Sequence, residues 1–412
     1  MKIKRQVYPI LLLNFVNALG FSVIFPVLPF IIEKYNATPL TYGFLISAYA
    51  LFQFMGSPIL GSLSDKYGRR PLLLVSQLGT LISWIVFGIS YFLPDKTILS
   101  ISLPILVIGL ARVVDGITGG NISVANAYLA DVTEPKERTK IYGLSGAIFG
   151  IAFIVGPVMG GFSSSFSIGY LGTTILAAGI SLLTLILLIF FVPESHKDQD
   201  KEIEIRLSKE LNIIRKIRSL ENPMLSKLFA RRLFFTLSFS AYTSILTLYT
   251  RDRFGLDSKQ LGLVFLIIGF YLVINQGLIS RRFSDKLGEA KTYIVGQLIF
   301  FAGLVMLYFA NTLPLFFAFS YIANLGVSLS IPTFKSIITT AVDGKKQGLI
   351  NGIDESIFSI SSATAPILSG LLYGVLAYKL TPLLGIFLLF QFVVGYLQTG
   401  SMRAKKAEFH RE

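Results

Sequence analysis

The sequence contains no cysteine and only two histidines among its 412 residues. Without cysteine it has no disulfide framework and no thiolate metal site. Both histidines, His196 and His410, lie in polar stretches, which excludes a histidine relay at membrane depth. Charged residues make up 15% of the chain and hydrophobic residues 53%, so the chain is too apolar for a soluble domain of this length.

Apolar runs of about twenty residues, the length that crosses a bilayer, recur along the whole chain. We predict an all-α membrane protein with twelve transmembrane helices. The first run is too long for a cleaved signal peptide and is interpreted as a spanning helix. The predicted spans are 7–33, 41–64, 71–93, 99–131, 139–163, 168–193, 227–252, 259–282, 291–310, 313–342, 347–375 and 380–402.

Four segments follow from these spans. A six-helix bundle is predicted over 1–193, a cytoplasmic linker over 194–226, a second six-helix bundle over 227–402 and a tail over 403–412. Within the linker, apolar residues spaced by three and four predict an amphipathic helix on the inner membrane surface. A simple connection between the bundles is the alternative. The apolar residues are Ile203, Leu207, Leu211, Ile214 and Ile217.

The net charge of +14 is distributed unevenly across the predicted topology. With the N-terminus inside, thirty Lys and Arg residues fall on the cytoplasmic side, six fall on the outer side and Arg112 lies in mid-helix. Positive residues stay cytoplasmic during insertion, so both termini are predicted to be cytoplasmic. The excess of Lys and Arg therefore indicates the membrane topology, and no nucleic-acid partner is expected.

An internal repeat relates the two predicted bundles. The stretch Gly61–Arg70 contains Asp65 and Gly68, and Asp285–Gly288 repeats their spacing 220 positions later. The fifth and eleventh spans share a second match, Pro157 with Gly161 against Pro366 with Gly370. Such duplication predicts two halves related by an axis along the membrane normal, with a substrate path between them.

The loop after the second span is a candidate gate. Asp65 is followed by Arg69 and Arg70, and a carboxylate there can pair with basic groups or with the N-terminus of a neighbouring helix. Its recurrence at Asp285 favours a gating role. The alternative is a basic loop that only determines topology.

Charged residues inside predicted spans are candidates for proton coupling. Arg112 and Asp115 share one helical face, and intramembrane charges normally face a bundle interior or water. Asp354 and Glu355 lie in the inner third of the eleventh span, within reach of Lys335. The alternatives are a permanent ion pair that fixes helix packing and acids held in water at the inner side.

Uncharged polar residues at membrane depth are candidates for substrate contact. They line a cavity or form hydrogen bonds between helices. Tyr242 joins them because aromatic side chains suit flat apolar or cationic solutes. The candidates are Asn14, Asn17, Gln53, Tyr242, Asn275, Gln276 and Asn324.

Three motifs resemble signatures of the major facilitator superfamily, in particular its twelve-helix drug–proton antiporters such as the tetracycline efflux proteins. The first motif comprises Gly61, Leu63, Asp65, Gly68, Arg69 and Arg70; the second runs from Arg112 through Asp115 and Gly116 to Asn121; the third comprises Gly150, Gly156, Pro157, Gly160 and Gly161. The resemblance implies secondary transport, and the third motif implies export through a closely packed fifth helix that limits leak.

The sequence departs from this family in its first span. Several related antiporters have an acidic residue in the middle of that helix, where this chain has Asn14 and Asn17. The departure shifts the expected proton site to Asp115.

We therefore expect proton-coupled efflux of small amphiphilic or aromatic compounds across a bacterial inner membrane, by a monomer without cofactor or metal. Transport of a sugar or another polar metabolite is an alternative, as is translocation of a lipid. An enzyme is not expected, because the sequence has no phosphate-binding loop, no metal-ligand spacing and no Ser/His/Asp set at membrane depth.

Overall fold

The computed structural model describes residues 7–98, 101–134, 137–195, 213–220, 222–342 and 347–391, excepting the side chains of 138–140, 142–143 and 347–348. The chain divides into two compact units. One unit comprises Met1–Leu211 together with Thr250–Gly269, and the other comprises Asn212–Tyr249 together with Phe270–Glu412. The predicted division into two six-helix bundles stays a prediction.

The first unit is built mainly from eight helices that are rich in apolar residues. Its helices are α1 (Val7–Ser22), α2 (Leu28–Lys34), α3 (Pro39–Tyr67), α4 (Arg69–Ile89), α5 (Leu103–Gly119), α6 (Ile122–Val132), α7 (Arg138–Ser164) and α8 (Tyr170–Phe191). A 3₁₀ turn, Ser90–Phe92, follows α4, and a two-residue hairpin pairs Thr97–Ile98 with Ile101–Ser102. Helix α1 packs on α7 and α8, and α3 packs on α5.

The remaining described helices follow, and most of them belong to the second unit. They are α9 (Ile213–Arg218), α10 (Pro223–Phe254), α11 (Ser258–Ile274), a π-helix (Asn275–Ser280), α12 (Arg281–Leu287), α13 (Glu289–Tyr308), α14 (Leu313–Thr340) and α15 (Gln347–Leu376). The end of α10 and most of α11 belong to the first unit. Helix α15 leads through a 3₁₀ turn, Ala377–Lys379, into a helical segment at 380–391.

Ten helical stretches of the described residues are long and apolar enough to cross a membrane, and Val7–Ser22 is a shorter apolar helix. Their outer faces carry exposed apolar side chains such as Phe190 and Val375, which suit contact with lipid. The last stretch, Leu349–Gln391, has 43 residues and contains the 3₁₀ turn at Ala377. The prediction of an all-α membrane protein is confirmed, whereas the count of twelve stays a prediction because 392–402 lie outside the described residues.

Several predicted helices are interrupted. The first predicted span, 7–33, is broken between Ser22 and Leu28, and the fourth, 99–131, begins at Leu103 and breaks at Gly120–Asn121. The eighth continues to Leu287 through the π-helix. A hydropathy pattern does not show such breaks, because the backbone groups left free at a turn can form hydrogen bonds with neighbouring helices.

The predicted loop at 65–70 is also shorter than expected. Helix α3 continues to Tyr67 and α4 begins at Arg69, so Gly68 alone separates them, with a φ of +97° that glycine adopts readily. In the linker, residues 196–212 and 221 lie outside the described residues. In the short helix α9, Ile213 and Ile217 pack on the core, while Ile214 is exposed. The amphipathic helix on the inner membrane surface stays a prediction.

Candidate functional site

A buried ion pair lies within α5. Nη1 of Arg112 donates to Oδ2 of Asp115 at 3.0 Å, and the two side chains are 3% and 4% exposed. The guanidinium lies 4.6 Å from the ring centroid of Tyr49 and 5.9 Å from that of Trp84. Nε of Arg112 is buried and has no hydrogen-bond partner in the part of the chain that the structure describes. The two predicted residues therefore meet in a pocket with aromatic walls, where a cation is stabilised by ring faces as well as by a carboxylate.

Tyr49 links this pair to helix α1. Its hydroxyl donates to the backbone carbonyl of Asn17 at 3.4 Å and accepts from Nε2 of Gln53 at 3.0 Å. Gln53 also donates to the carbonyl of Gly119 at 3.2 Å, near the point where α5 ends. Gln53, a predicted substrate contact, thus holds Tyr49 against Arg112. Sequence reasoning did not assign Tyr49 to the ion pair.

The break between α5 and α6 is crossed by a chain of side-chain amides. Nδ2 of Asn17 donates to Oδ1 of Asn121 at 2.6 Å, and Nδ2 of Asn121 donates to Oγ of Ser76 at 3.0 Å. All three residues are buried. Asn14 donates separately to Ser145 on α7 at 2.7 Å. The asparagines of the first span therefore make hydrogen bonds between helices, although Oδ1 of Asn14 has no hydrogen-bond partner among the described residues.

The predicted gating loop forms an ionic cluster around Arg69. Nη1 of Arg69 lies 2.5 Å from Oδ1 of Asp65, and its Nε lies 3.3 Å from Oδ2 of Asp131 on α6. Arg69 itself is 7% exposed. The carboxylate of Glu194 accepts from the backbone N–H groups of Arg69 and Arg70 at 2.9 and 3.0 Å. The cluster therefore fastens the ends of α3, α4, α6 and α8 to one another.

Asp131 and Glu194 were missed by the sequence reasoning. Asp131 lies near the end of the fourth predicted span and Glu194 just beyond the sixth, so neither stood out as an intramembrane charge. Carboxylates at helix N-termini are stabilised by the helix dipole, and Glu194 occupies that position at the start of α4.

The second copy of the loop is built differently. Arg281 and Asp285 approach only to 3.9 Å, and their side chains are 87% and 71% exposed. Gly288 repeats the positive φ of Gly68, at +77°. The repeat in sequence thus preserves the turn but not the buried ionic cluster.

In the second unit Asp354 is shared by two cations. Its Oδ1 accepts from Nε of Arg232 at 2.8 Å, and its Oδ2 lies 3.5 Å from Nζ of Lys335. Arg232 and Asp354 are buried, whereas Glu355 is exposed. The expected approach of Lys335 to this acidic pair is found at Asp354. Arg232 was not among the residues that the sequence predicted for this site.

The remaining polar candidates of the second unit do not form one cluster. Nδ2 of Asn324 lies 3.5 Å from the hydroxyl of Tyr242 and donates to the carbonyl of Ser320 at 2.8 Å. Asn275 opens the π-helix, is fully buried and has no hydrogen-bond partner for either amide atom in the described residues. Gln276 is exposed. π-Helical turns often occur at functional sites, which keeps Asn275 a candidate for substrate contact.

The glycines of α7 permit close backbone approach. A Cβ at Gly160 would clash with the carbonyl group of Val23, and one at Gly156 would clash with Ser22. A Cβ at Gly161 would clash with the carbonyl of Ser258, and one at Gly262 would lie 2.7 Å from the carbonyl oxygen of Pro157. Helix α7 thus packs tightly against the end of α1 and the start of α11. Gly150, by contrast, faces open space.

Comparisons with known proteins agree with this architecture. The chain is 28% identical over 362 residues to a class C tetracycline resistance protein of Escherichia coli. The match covers 87% of this chain and 87% of the relative. It is 27% identical over 376 residues to multidrug resistance protein 2 of Bacillus subtilis, covering 90% of this chain and 89% of the relative. The predicted resemblance to tetracycline-type proteins is thereby confirmed.

Solved structures share the fold. A crystal structure of a bacterial homologue of the human lysosomal transporter Spinster matches with a TM-score of 0.75 at 13% identity, covering 95% of this chain and 96% of that one. The family model described as Major Facilitator Superfamily matches residues 10–284 and 276–408. The chain belongs to the Major Facilitator Superfamily.

Proposed function

We propose that this protein is a secondary active transporter that exports small amphiphilic or aromatic compounds in exchange for protons. Its similarity to tetracycline and multidrug resistance proteins supports the substrate class. The observation that carries proton coupling is the buried pair of Arg112 and Asp115 beside Tyr49. We further propose that the protein acts as a monomer in a bacterial inner membrane, with both termini in the cytoplasm.

The ion pair couples protonation to conformation. When Asp115 takes up a proton, Arg112 loses its counter-charge while it remains among buried groups. An unpaired buried cation is costly, so protonation favours a state in which Arg112 reaches water, backbone carbonyls or substrate. Deprotonation restores the pair and the original state. Gln53 and Tyr49 hold the guanidinium in the position from which this exchange starts.

The Arg69 cluster stabilises the inner end of the first unit in this cycle. Asp65, Asp131 and Glu194 join four helix ends, so these helices move together when access alternates. The close contacts at Gly156 and Gly160 limit leak beside α7. Asp354, held between Arg232 and Lys335, is the alternative proton carrier.

Inside-out vesicles with an acidic lumen and an internal pH dye test the proposal. We expect tetracycline or ethidium to raise the lumen pH only when the protein is present, because each exported molecule releases protons from the lumen. The Asp115→Asn variant should lose this response. Asp95→Asn, which neutralises an exposed loop acid, is the matched control and should retain it.

Two results would contradict the proposal in different ways. A normal pH response in the Asp115→Asn variant would reject Asp115 as the proton carrier and leave export intact. Accumulation of labelled compound without any pH response in the unmodified protein would reject proton coupling itself.

A further inference from the structure

A polar cavity of about 200 Å³ lies in the first unit, where α2 ends and α8 begins. Three serines give the cavity hydroxyl groups, and Val27 and Ile31 give it apolar contacts. Its aromatic and cationic lining residues are Phe30, Lys34, Tyr91 and Tyr170. Tyr91 and Tyr170 stand at the ends of the candidate spans Arg69–Phe92 and Tyr170–Phe191. Tyrosines at span ends occupy the headgroup level of a bilayer, so the cavity lies where lipid phosphates are found.

The ammonium of Lys34 is held in this cavity by three tyrosine rings. Its Nζ lies 4.5 Å from the ring centroid of Tyr91 and 5.3 Å from those of Tyr35 and Tyr170. The hydroxyls of Tyr35 and Tyr170 are 2.8 Å apart, and Oγ of Ser90 lies 3.2 Å from the latter, which fixes the rings. Within the described parts of the chain no carboxylate lies within 4.0 Å of Lys34.

The surroundings of Lys34 favour an anionic ligand. Ring faces stabilise the positive charge of an ammonium but supply no counter-charge. Lys34 is exposed, so an incoming anion can reach it. Oγ of Ser164 donates to Oγ of Ser258 at 2.9 Å, and the hydroxyl of Ser258 lines the same cavity. Helix α8 starts after Gly169 without a side-chain cap, and its dipole adds positive potential. An ammonium, hydroxyl donors and a helix N-terminus together suit a phosphate group.

An apolar groove of about 460 Å³ is lined by neighbouring residues of the same connection between α7 and α8. Phe162, Phe166 and Ile168 line the groove, whereas Ser164, Ser167 and Gly169 line the polar cavity. The groove continues along α8 past Ile175. A free anion would leave the groove empty, and an uncharged hydrophobic compound would leave Lys34 without a counter-charge. A molecule with a phosphate and a hydrocarbon chain satisfies both.

We propose that this site binds one anionic phospholipid, with its phosphate at Lys34 and an acyl chain in the groove past Ile175. The bound lipid joins α2, the Ser90–Phe92 turn and the α7–α8 connection. The proposal stands independently of the transported substrate and of proton coupling.

Lipid retention by the purified full-length protein tests the site. Native mass spectrometry would follow binding of phosphatidylglycerol, of zwitterionic phosphatidylethanolamine and of glycerol 3-phosphate, which has the headgroup but no chain. We expect phosphatidylglycerol to be retained above both others. Lys34→Met should weaken its binding about fivefold, the effect of one lysine near a lipid surface. Lys96→Met, at an exposed lysine of the same unit, should leave binding unchanged.

Two further variants keep the test decisive if Lys34→Met folds poorly. Lys34→Arg retains a cation over the rings and should retain phosphatidylglycerol. Ile175→Trp fills the groove from an exposed position and should weaken binding of the lipid. Equal retention of the two phospholipids, equal binding of glycerol 3-phosphate, or unchanged binding in both Lys34→Met and Ile175→Trp would overturn the proposal.

Discussion

Arg112 and Asp115 lie one helical turn apart on α5, joined by a 3.0 Å contact between Nη1 and Oδ2, with less than a twentieth of either side chain exposed. Tyr49 from α3 lies against the guanidinium and makes the pair a contact between helices. An ion pair that is buried so completely constrains both partners, since in this conformation either charge would stay buried if the other were removed.

Removing one partner of this ion pair should therefore destabilise the protein more than removing both. We expect Arg112→Met to lower the free energy of unfolding by about 3–5 kcal/mol, because Asp115 is left buried and unpaired. The double variant Arg112→Met/Asp115→Leu should be more stable than Arg112→Met alone. Thermal unfolding in detergent measures both. A double variant that is no more stable than Arg112→Met would contradict a coupled pair.

The sequence predicted the pair but not its setting. A spacing of three residues inside an apolar span was enough to place Arg112 and Asp115 on one face. Tyr49 could not be assigned to them, because aromatic residues occur in every span and only the packing of α3 on α5 selects one. The break at Gly120–Asn121 was missed for a similar reason, since the amide chain from Asn17 that crosses it joins residues about a hundred positions apart.

For the duplicated loop, the sequence predicted a similarity that the structure shows only in part. Asp65 and Asp285 share a local motif, and the sequence therefore predicted similar roles. Burial differs because Asp131 and Glu194, which complete the first cluster, come from distant parts of the chain. Local patterns determine the glycine turns, whereas the ionic cluster depends on tertiary contacts.

This difference predicts unequal effects of two matched substitutions. Asp65→Asn removes the partner of a buried arginine and should cost about 1.5–3 kcal/mol of stability. Asp285→Asn removes an exposed partner at 3.9 Å and should cost less than about 1 kcal/mol. Unfolding temperatures and drug accumulation in vesicles, measured side by side, check both. Equal losses would show that exposure does not distinguish the two loops.

Glycine substitutions in α7 provide a second matched comparison. Gly160→Ala should destabilise the protein by about 1–3 kcal/mol, because the added methyl group meets the backbone of Val23. Gly150→Ala should be neutral or should stabilise the helix by up to about 1 kcal/mol, because nothing lies within 4 Å of its Cβ. Thermal unfolding gives the stabilities, and the rate of passive proton leak in vesicles tests the proposed seal. A leak in Gly150→Ala as large as that in Gly160→Ala would refute a specific contact.

The two adjacent acids of α15 should also differ. Asp354 is buried between Arg232 and Lys335. Asp354→Asn removes the carboxylate from Arg232, whose Nη1 has no hydrogen-bond partner among the described residues. We expect a loss of about 3–5 kcal/mol, as for other buried pairs from which one charge is removed. Glu355 is exposed, so Glu355→Gln should change stability by less than about 1 kcal/mol.

A transport assay on a further variant shows whether Asp354 serves helix packing or proton coupling. Arg232→Met/Asp354→Leu removes the pair together and should regain part of the stability lost in Asp354→Asn. If that double variant folds and still exchanges drug for protons, Asp354 serves packing and Asp115 carries the proton. If it folds, binds drug and no longer moves protons while Asp115→Asn still does, the proton carrier lies in the second unit and the assignment to Asp115 is wrong.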